Sequence, residues 1–101
     1  MCARLLKEIE EEATNFLSEL IRINTTNPPG NETAAAKYVA EALEQDGFKC
    51  ELFESSPGRG SVVTRLKGSD KKPNLLLLSH LDVVAANPKE WSVDPFGGEI
   101  K

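Results

Sequence analysis

The spacing of hydrophobic positions changes along the chain, and each change marks an element. Over residues 5–23, Leu6, Ile9, Ala13, Phe16, Leu17, Leu20 and Ile21 recur every three or four residues, which predicts an amphipathic helix with one apolar stripe. Glu8, Glu10, Glu11, Glu12 and Glu19 fall largely on the other faces. An acidic run early in a helix suits its macrodipole, so these glutamates read as a solvated face rather than as metal ligands. Residues 24–30, Asn-Thr-Thr-Asn-Pro-Pro-Gly, stop this helix, because two prolines remove backbone donors and push the preceding residue into an extended conformation. Asn31 is placed to cap a second helix over residues 32–45, with Ala35, Val39, Ala42 and Leu43 facing inwards and Gly47 at its C-terminal end.

From Phe48 the period shortens. Residues 48–54 partly alternate and predict a strand, residues 55–60 a turn, residues 61–66 a second strand, and residues 68–73 a polar turn. Residues 74–82 then read Asn-Leu-Leu-Leu-Leu-Ser-His-Leu-Asp. A short apolar run without alternation predicts a strand buried on both faces. Pro73 before it and Asn87-Pro88 after it leave too little room for a typical helix. Connections this short favour antiparallel neighbours, so the expected sheet is a three-stranded meander covered by two helices. Residues 83–101 form a long, proline-punctuated excursion that contains the only Trp and closes as another extended segment begins. That ending leads us to expect a piece of a longer domain.

Composition narrows the classes of function. A chain of 101 residues is one domain or part of one, with 40% hydrophobic and 28% charged residues, ordinary for a soluble globular protein. A net charge of -4, no basic stripe and few aromatics argue against nucleic acid as a partner. No apolar stretch approaches the length of a membrane span, and the acidic N-terminus lacks the apolar region of a signal peptide, so the expected location is cytoplasmic. The two matches to the glycosylation pattern, at Asn24 and Asn31, are accordingly read as chance. Cys2 and Cys50 are far apart and form no CxxC, which predicts free thiols, with Cys50 on a strand.

The candidate chemistry sits where the leucine run ends. On an extended backbone, His80 and Asp82 point to the same side, roughly 7 Å apart at Cα. That arrangement suits an imidazole that binds a metal and a carboxylate that holds its other ring nitrogen. A His-x-Asp triplet alone is weak, and a lone histidine at a strand end is more often a local hydrogen-bonding residue, as in a non-enzymatic binding or regulatory module. Ser79 cannot complete a serine triad through His80, because adjacent residues on a strand face opposite ways. Gly58-Arg59-Gly60-Ser61 lacks the Lys-Ser/Thr element and following helix of a phosphate loop, and reads as a turn.

Three ordered motifs extend this picture: Thr-Asn-Pro-Pro-Gly-Asn-Glu at residues 26–32, Leu-Leu-Leu-Leu-Ser-His-Leu-Asp-Val-Val at residues 75–84, and Trp-Ser-Val-Asp-Pro-Phe-Gly-Gly-Glu-Ile at residues 91–100. Together they resemble the N-terminal section of the zinc-dependent amidohydrolases and exopeptidases. That family includes aminoacylase, acetylornithine deacetylase, succinyl-diaminopimelate desuccinylase and bacterial-type glutamate carboxypeptidase. The resemblance implies an α/β fold with a mixed sheet flanked by helices, of which residues 1–101 are the N-terminal part of the metal-binding catalytic domain. It implies His80 as a metal ligand and Asp82 as the catalytic-site aspartate that orients it. It further implies two zinc ions in the full-length parent, with other divalent metals such as cobalt accepted. The substrate would be a small acylated amino acid or peptide, and the parent a possible homodimer. Residues 27–30 would be a mainly structural loop, and Trp91 and Phe96 packing residues. The family's bridging aspartate, paired glutamates, later acidic ligand, second histidine and lid domain match nothing in these residues, so the chain alone is expected to be inactive.

Overall fold

Local patterning builds two helices and one hairpin. The computed structural model describes residues 1–101, which divide into two units: residues 1–24 with 85–101, and residues 25–84.

In the first unit, helix α1 runs over Cys2–Arg22. Its acidic run is exposed, as expected for a solvated face. Most of its apolar stripe is exposed as well, with Leu6 at 67% and Leu17 at 58%, and Ser18 is its one buried residue. The Ser18 hydroxyl donates to the Gly98 carbonyl, and Arg22 Nε donates to the Gly97 carbonyl at 3.1 Å. The end of α1 therefore holds the segment around Gly98 through polar contacts. Between them, a 3-10 turn covers Pro88–Glu90, with the Asn87 side chain accepting from the Lys89 amide at 3.2 Å. Phe96 is half-buried, but Trp91 is 54% exposed, contrary to the packing role expected of it. Its surroundings, Pro88 and residues 92–95, form only an open hollow. No helix is long and apolar enough to cross a membrane.

The second unit contains helix α2, Glu32–Gln45, and an antiparallel hairpin of β1, Cys50–Glu54, and β2, Gly60–Thr64. The register pairs Cys50 with Thr64, Leu52 with Val62, and Glu54 with Gly60. Asn31 precedes α2, but its side chain makes no capping bond. The hairpin turn satisfies one of the free donors there instead, since the Thr33 amide bonds the Gly58 carbonyl at 3.0 Å. Helix α2 packs on both strands through Ala35, Ala36 and Ala40, while Val39, Ala42 and Leu43 are only half-buried. Small side chains allow this close approach. At Gly60, an added Cβ would lie 2.6 Å from Thr33 Cα, a distance no real side chain tolerates. Cys2 and Cys50 are free thiols, and Cys50 opens β1.

The third strand of the expected meander is absent. Residues 74–82 belong to no strand, and the sheet has two strands. Leu75, Leu76, Leu77 and Leu78 are 81–88% exposed. A strand buried on both faces needs a neighbour at its edges and a layer on each side, and one hairpin under one helix supplies neither. The run's apolar character therefore does not lead to burial among residues 1–101. Its C-terminal end does find a partner, in an isolated parallel bridge between Thr26 and Val83.

Exposure of the run has a measurable consequence. Leu76→Ser is expected to change the stability of the 101-residue chain by less than about 0.5 kcal/mol, the range for exposed positions. Truncation of a buried leucine costs about 2–5 kcal/mol. Urea unfolding followed by circular dichroism distinguishes the two, and a loss in the buried range would place Leu76 in a core.

Candidate metal-ligand site

The bridge at Val83 fixes the backbone that carries both candidate site residues. The Asn27 amide donates to the Val83 carbonyl at 2.8 Å, and the Val83 amide donates to the Thr25 carbonyl at 3.2 Å. Thr25 is only 3% exposed, and its hydroxyl donates to the Leu81 carbonyl at 2.7 Å. These three hydrogen bonds, all accepted by backbone carbonyls, tie the residues before Pro28 to residues 81–83. The loop itself closes through the Gly30 amide, which donates to the Thr26 carbonyl at 2.9 Å. Gly30 has φ of 77°, and an added Cβ would sit 2.9 Å from Glu32 Oε2, so both conformation and space require glycine there.

His80 and Asp82 are brought together as expected from their spacing. His80 Nδ1 lies 3.0 Å from Asp82 Oδ1 and 2.8 Å from the Asp82 carbonyl oxygen. Both oxygens only accept hydrogen bonds when the carboxylate is ionised, so Nδ1 carries the proton and donates. Nε2 is left with its lone pair, on a side chain that is 84% exposed. This is the tautomer a metal-ligating imidazole needs when a carboxylate holds its far nitrogen.

Asp82 is itself held. Its Oδ2 accepts from Asn27 Nδ2 at 2.9 Å, and Arg59 Nη2 lies 3.8 Å from the same oxygen. The Asn27 hydrogen bond is the main influence keeping the Asp82 carboxyl below the usual carboxylate range. Partial burial opposes it, and His80 and Arg59 reinforce it. Arg59 makes its close ion pair with Glu32, at 2.9 Å, where the carboxylate side chain is only 8% exposed. Neither Asn27 nor Arg59 follows from the reading of residues 27–30 as a helix stop and of residues 55–60 as a turn. The signal that brings Asn27 forward is the ordered motif containing it.

The residues present fit one ligand position, with His80 as the ligand and Asp82 as its orienting carboxylate. No three His, Cys, Asp or Glu side chains come together to hold a metal ion. In the other unit, the Asp94 carboxylate accepts from the Phe96 amide at 2.9 Å within a local turn.

The held carboxylate makes stability depend on pH. A depressed folded pKa contributes stability that is fully present above the unfolded value, about 4, and is lost as pH falls through the lower folded value. The wild-type chain should therefore lose more stability than Asp82→Asn on acidification from about pH 5 to about pH 2. Urea midpoints across that window check this, and equal losses would show that Asp82 is not held.

No protein-family model and no solved structure matches the chain. Curated relatives do. Aminoacylase-1 of Sus scrofa is 36% identical over 95 residues, covering 91% of this chain and 23% of that protein. N-formyl-4-amino-5-aminomethyl-2-methylpyrimidine deformylase of Bacillus subtilis is 32% identical over 95 residues, covering 90% of this chain and 22% of that protein. Succinyl-diaminopimelate desuccinylase of Pelagibacter ubique is 33% identical over 86 residues, covering 82% of this chain and 22% of that protein. The chain thus spans 22–23% of the length of these relatives. Their names describe removal of acyl, formyl and succinyl groups, and the chain belongs to the amidohydrolase family that contains them.

Proposed function

We propose that the chain is the N-terminal, ligand-bearing portion of a metal-dependent amidohydrolase that releases an acyl group from a small acylated amino acid or peptide. The supporting observation is the geometry at His80, with Nδ1 3.0 Å from Asp82 Oδ1 on a side chain that is 84% exposed. Relatives that act on acyl, succinyl and formyl amides supply the reaction class.

In this reading His80 holds one of two metal ions, zinc or a related divalent cation such as cobalt. When bound, such ions lower the pKa of a shared water and polarise the scissile carbonyl. This chain's own residues do narrower work. His80 presents Nε2, Asp82 keeps the proton on Nδ1, and the latch at Thr25, Asn27 and Val83 fixes the backbone that carries them. A catalytic zinc site takes about three protein ligands and an open position. His80 supplies one, so the other ligands and the general base belong to further polypeptide of the same family. By itself the 101-residue chain should hydrolyse no N-acyl amino acid.

The test uses a polypeptide in which these residues are joined to the remainder of the hydrolase. His80→Ala should lower the metal content and abolish amide hydrolysis. Asp82→Asn should keep the fold and lose roughly 10–100-fold in metal affinity or rate. Wild-type metal content and activity in His80→Ala would remove His80 from the site.

A further inference from the structure

Asp82 meets His80 Nδ1 with two acceptors, its backbone carbonyl at 2.8 Å and its carboxylate Oδ1 at 3.0 Å, and the carboxylate contact lasts only if that group is prevented from turning. An aspartate has two soft side-chain torsions, and this side chain is 29% exposed, so water competes for both oxygens. Arg59 does not settle the orientation. Its 3.8 Å separation from Oδ2 is beyond hydrogen-bond range, and its close partner is Glu32 at 2.9 Å. Asn27 Nδ2 is within hydrogen-bond distance of Oδ2, at 2.9 Å. A carboxylate accepts only, so the amide nitrogen must be the group facing it.

Asn27 is itself well placed to be a fixed reference. Its amide is bonded to the Val83 carbonyl at 2.8 Å, and the residues around it close through the Gly30 amide and Thr26 carbonyl at 2.9 Å. With one carboxylate oxygen held by Asn27, the other meets His80 Nδ1 at 3.0 Å. We propose that Asn27 is a positioning residue for His80, its side-chain amide fixing the Asp82 carboxylate so that the imidazole keeps its proton on Nδ1. This adds to residues 27–30 a role beyond stopping α1. It deepens the ligand reading of His80 and rests on that reading only for its use in metal binding.

His80 is the only histidine in the chain, so its ring nitrogens can be followed without assignment ambiguity. The test is long-range nitrogen NMR on the metal-free 101-residue chain, at a pH where the imidazole is neutral. The wild-type chain should show Nδ1 as the protonated nitrogen. Asn27→Asp, which sets an acceptor against an acceptor, should leave the Asp82 carbonyl as the one fixed acceptor for Nδ1 and raise the share of the Nε2–H form measurably above wild type. Asn27→Ala removes the donor without adding charge, should give the same shift, and stands in should Asn27→Asp fail to fold. Ala40→Gly serves as the comparison, because it weakens the buried face of α2 without touching the Asp82 carboxylate or the backbone that carries it. It should lower stability to urea and leave the tautomer as in wild type. A wild-type tautomer in the Asn27 variants would overturn the proposal. So would a tautomer shift in Ala40→Gly matching that in the Asn27 variants, because the role of Asn27 would then be general support of the fold. The metal content of His80→Ala in the joined hydrolase is a separate measurement. Should that content stay unchanged while the tautomer still follows Asn27, the ligand reading falls and the positioning role stands.

Discussion

The second unit depends on the hydrogen-bonded latch between residues 25–27 and residues 81–83. Its bonds join segments more than fifty residues apart, as in the pairing of Thr25 with Leu81. Closing so long a loop carries an entropic cost, although the cost grows only slowly with length. Buried hydrogen bonds help to offset it, and leaving the Thr25 hydroxyl unpaired at 3% exposure would cost about 1–3 kcal/mol. Since the chain next to Val83 carries Asp82 and His80, the latch that closes the loop also sets the site geometry. Thr25 to Gly30 thus shape both the loop and the candidate site, and the two contributions separate only at the level of atoms. The backbone of Asn27 closes the loop, and its side chain holds Asp82.

Apolar burial contributes comparatively little here. The fully buried hydrophobic residues are Ala35, Ala36 and Ala40, the smallest side chains that can form a core. Leu75 to Leu78 remain in water. Burying a leucine contributes about 1.5–3 kcal/mol, so burying all four would contribute roughly 6–12 kcal/mol, comparable with the whole stability of a small domain. Among residues 1–101 that contribution is unrealised. The ends of the run differ in consequence. Its leucines are unpartnered, whereas Leu81 to Val83 are held by hydrogen bonds.

Features governed by neighbours in sequence were legible. Helix α2 covers the expected residues 32–45, because a run of good helix formers lies between a proline-rich stop and Gly47. The hairpin followed from a Pro-Gly turn between two short extended runs. The meeting of His80 and Asp82 followed from a side-chain period of two, which brings such residues together without a sheet. The leucine strand did not form because its burial depends on elements elsewhere, and an apolar run specifies a need for partners rather than their presence. Asn27 and Arg59 were not legible as site residues for the same reason. Asn27 reaches Asp82 across 55 residues, and nothing in Asn-Pro-Pro-Gly indicates which carboxylate its amide will meet.

The placement of Arg59 shows why a neutral amide suits this position better than a cation. Arg59 could have paired with either of two carboxylates, and its close partner is Glu32, the more buried. A buried carboxylate without a cation is costly, so Glu32 has the greater need of the guanidinium. Gly30 makes the room, since a side chain there would crowd both Glu32 and Arg59. With the guanidinium engaged, Asp82 is held mainly by the Asn27 amide, which orients a carboxylate without neutralising it. The negative charge then remains available to the Nδ1 proton of His80. A cation bonded directly to Asp82 would fix the carboxylate equally well but compete with His80 for its charge. Keeping Arg59 on Glu32 and Asn27 on Asp82 separates charge compensation from orientation.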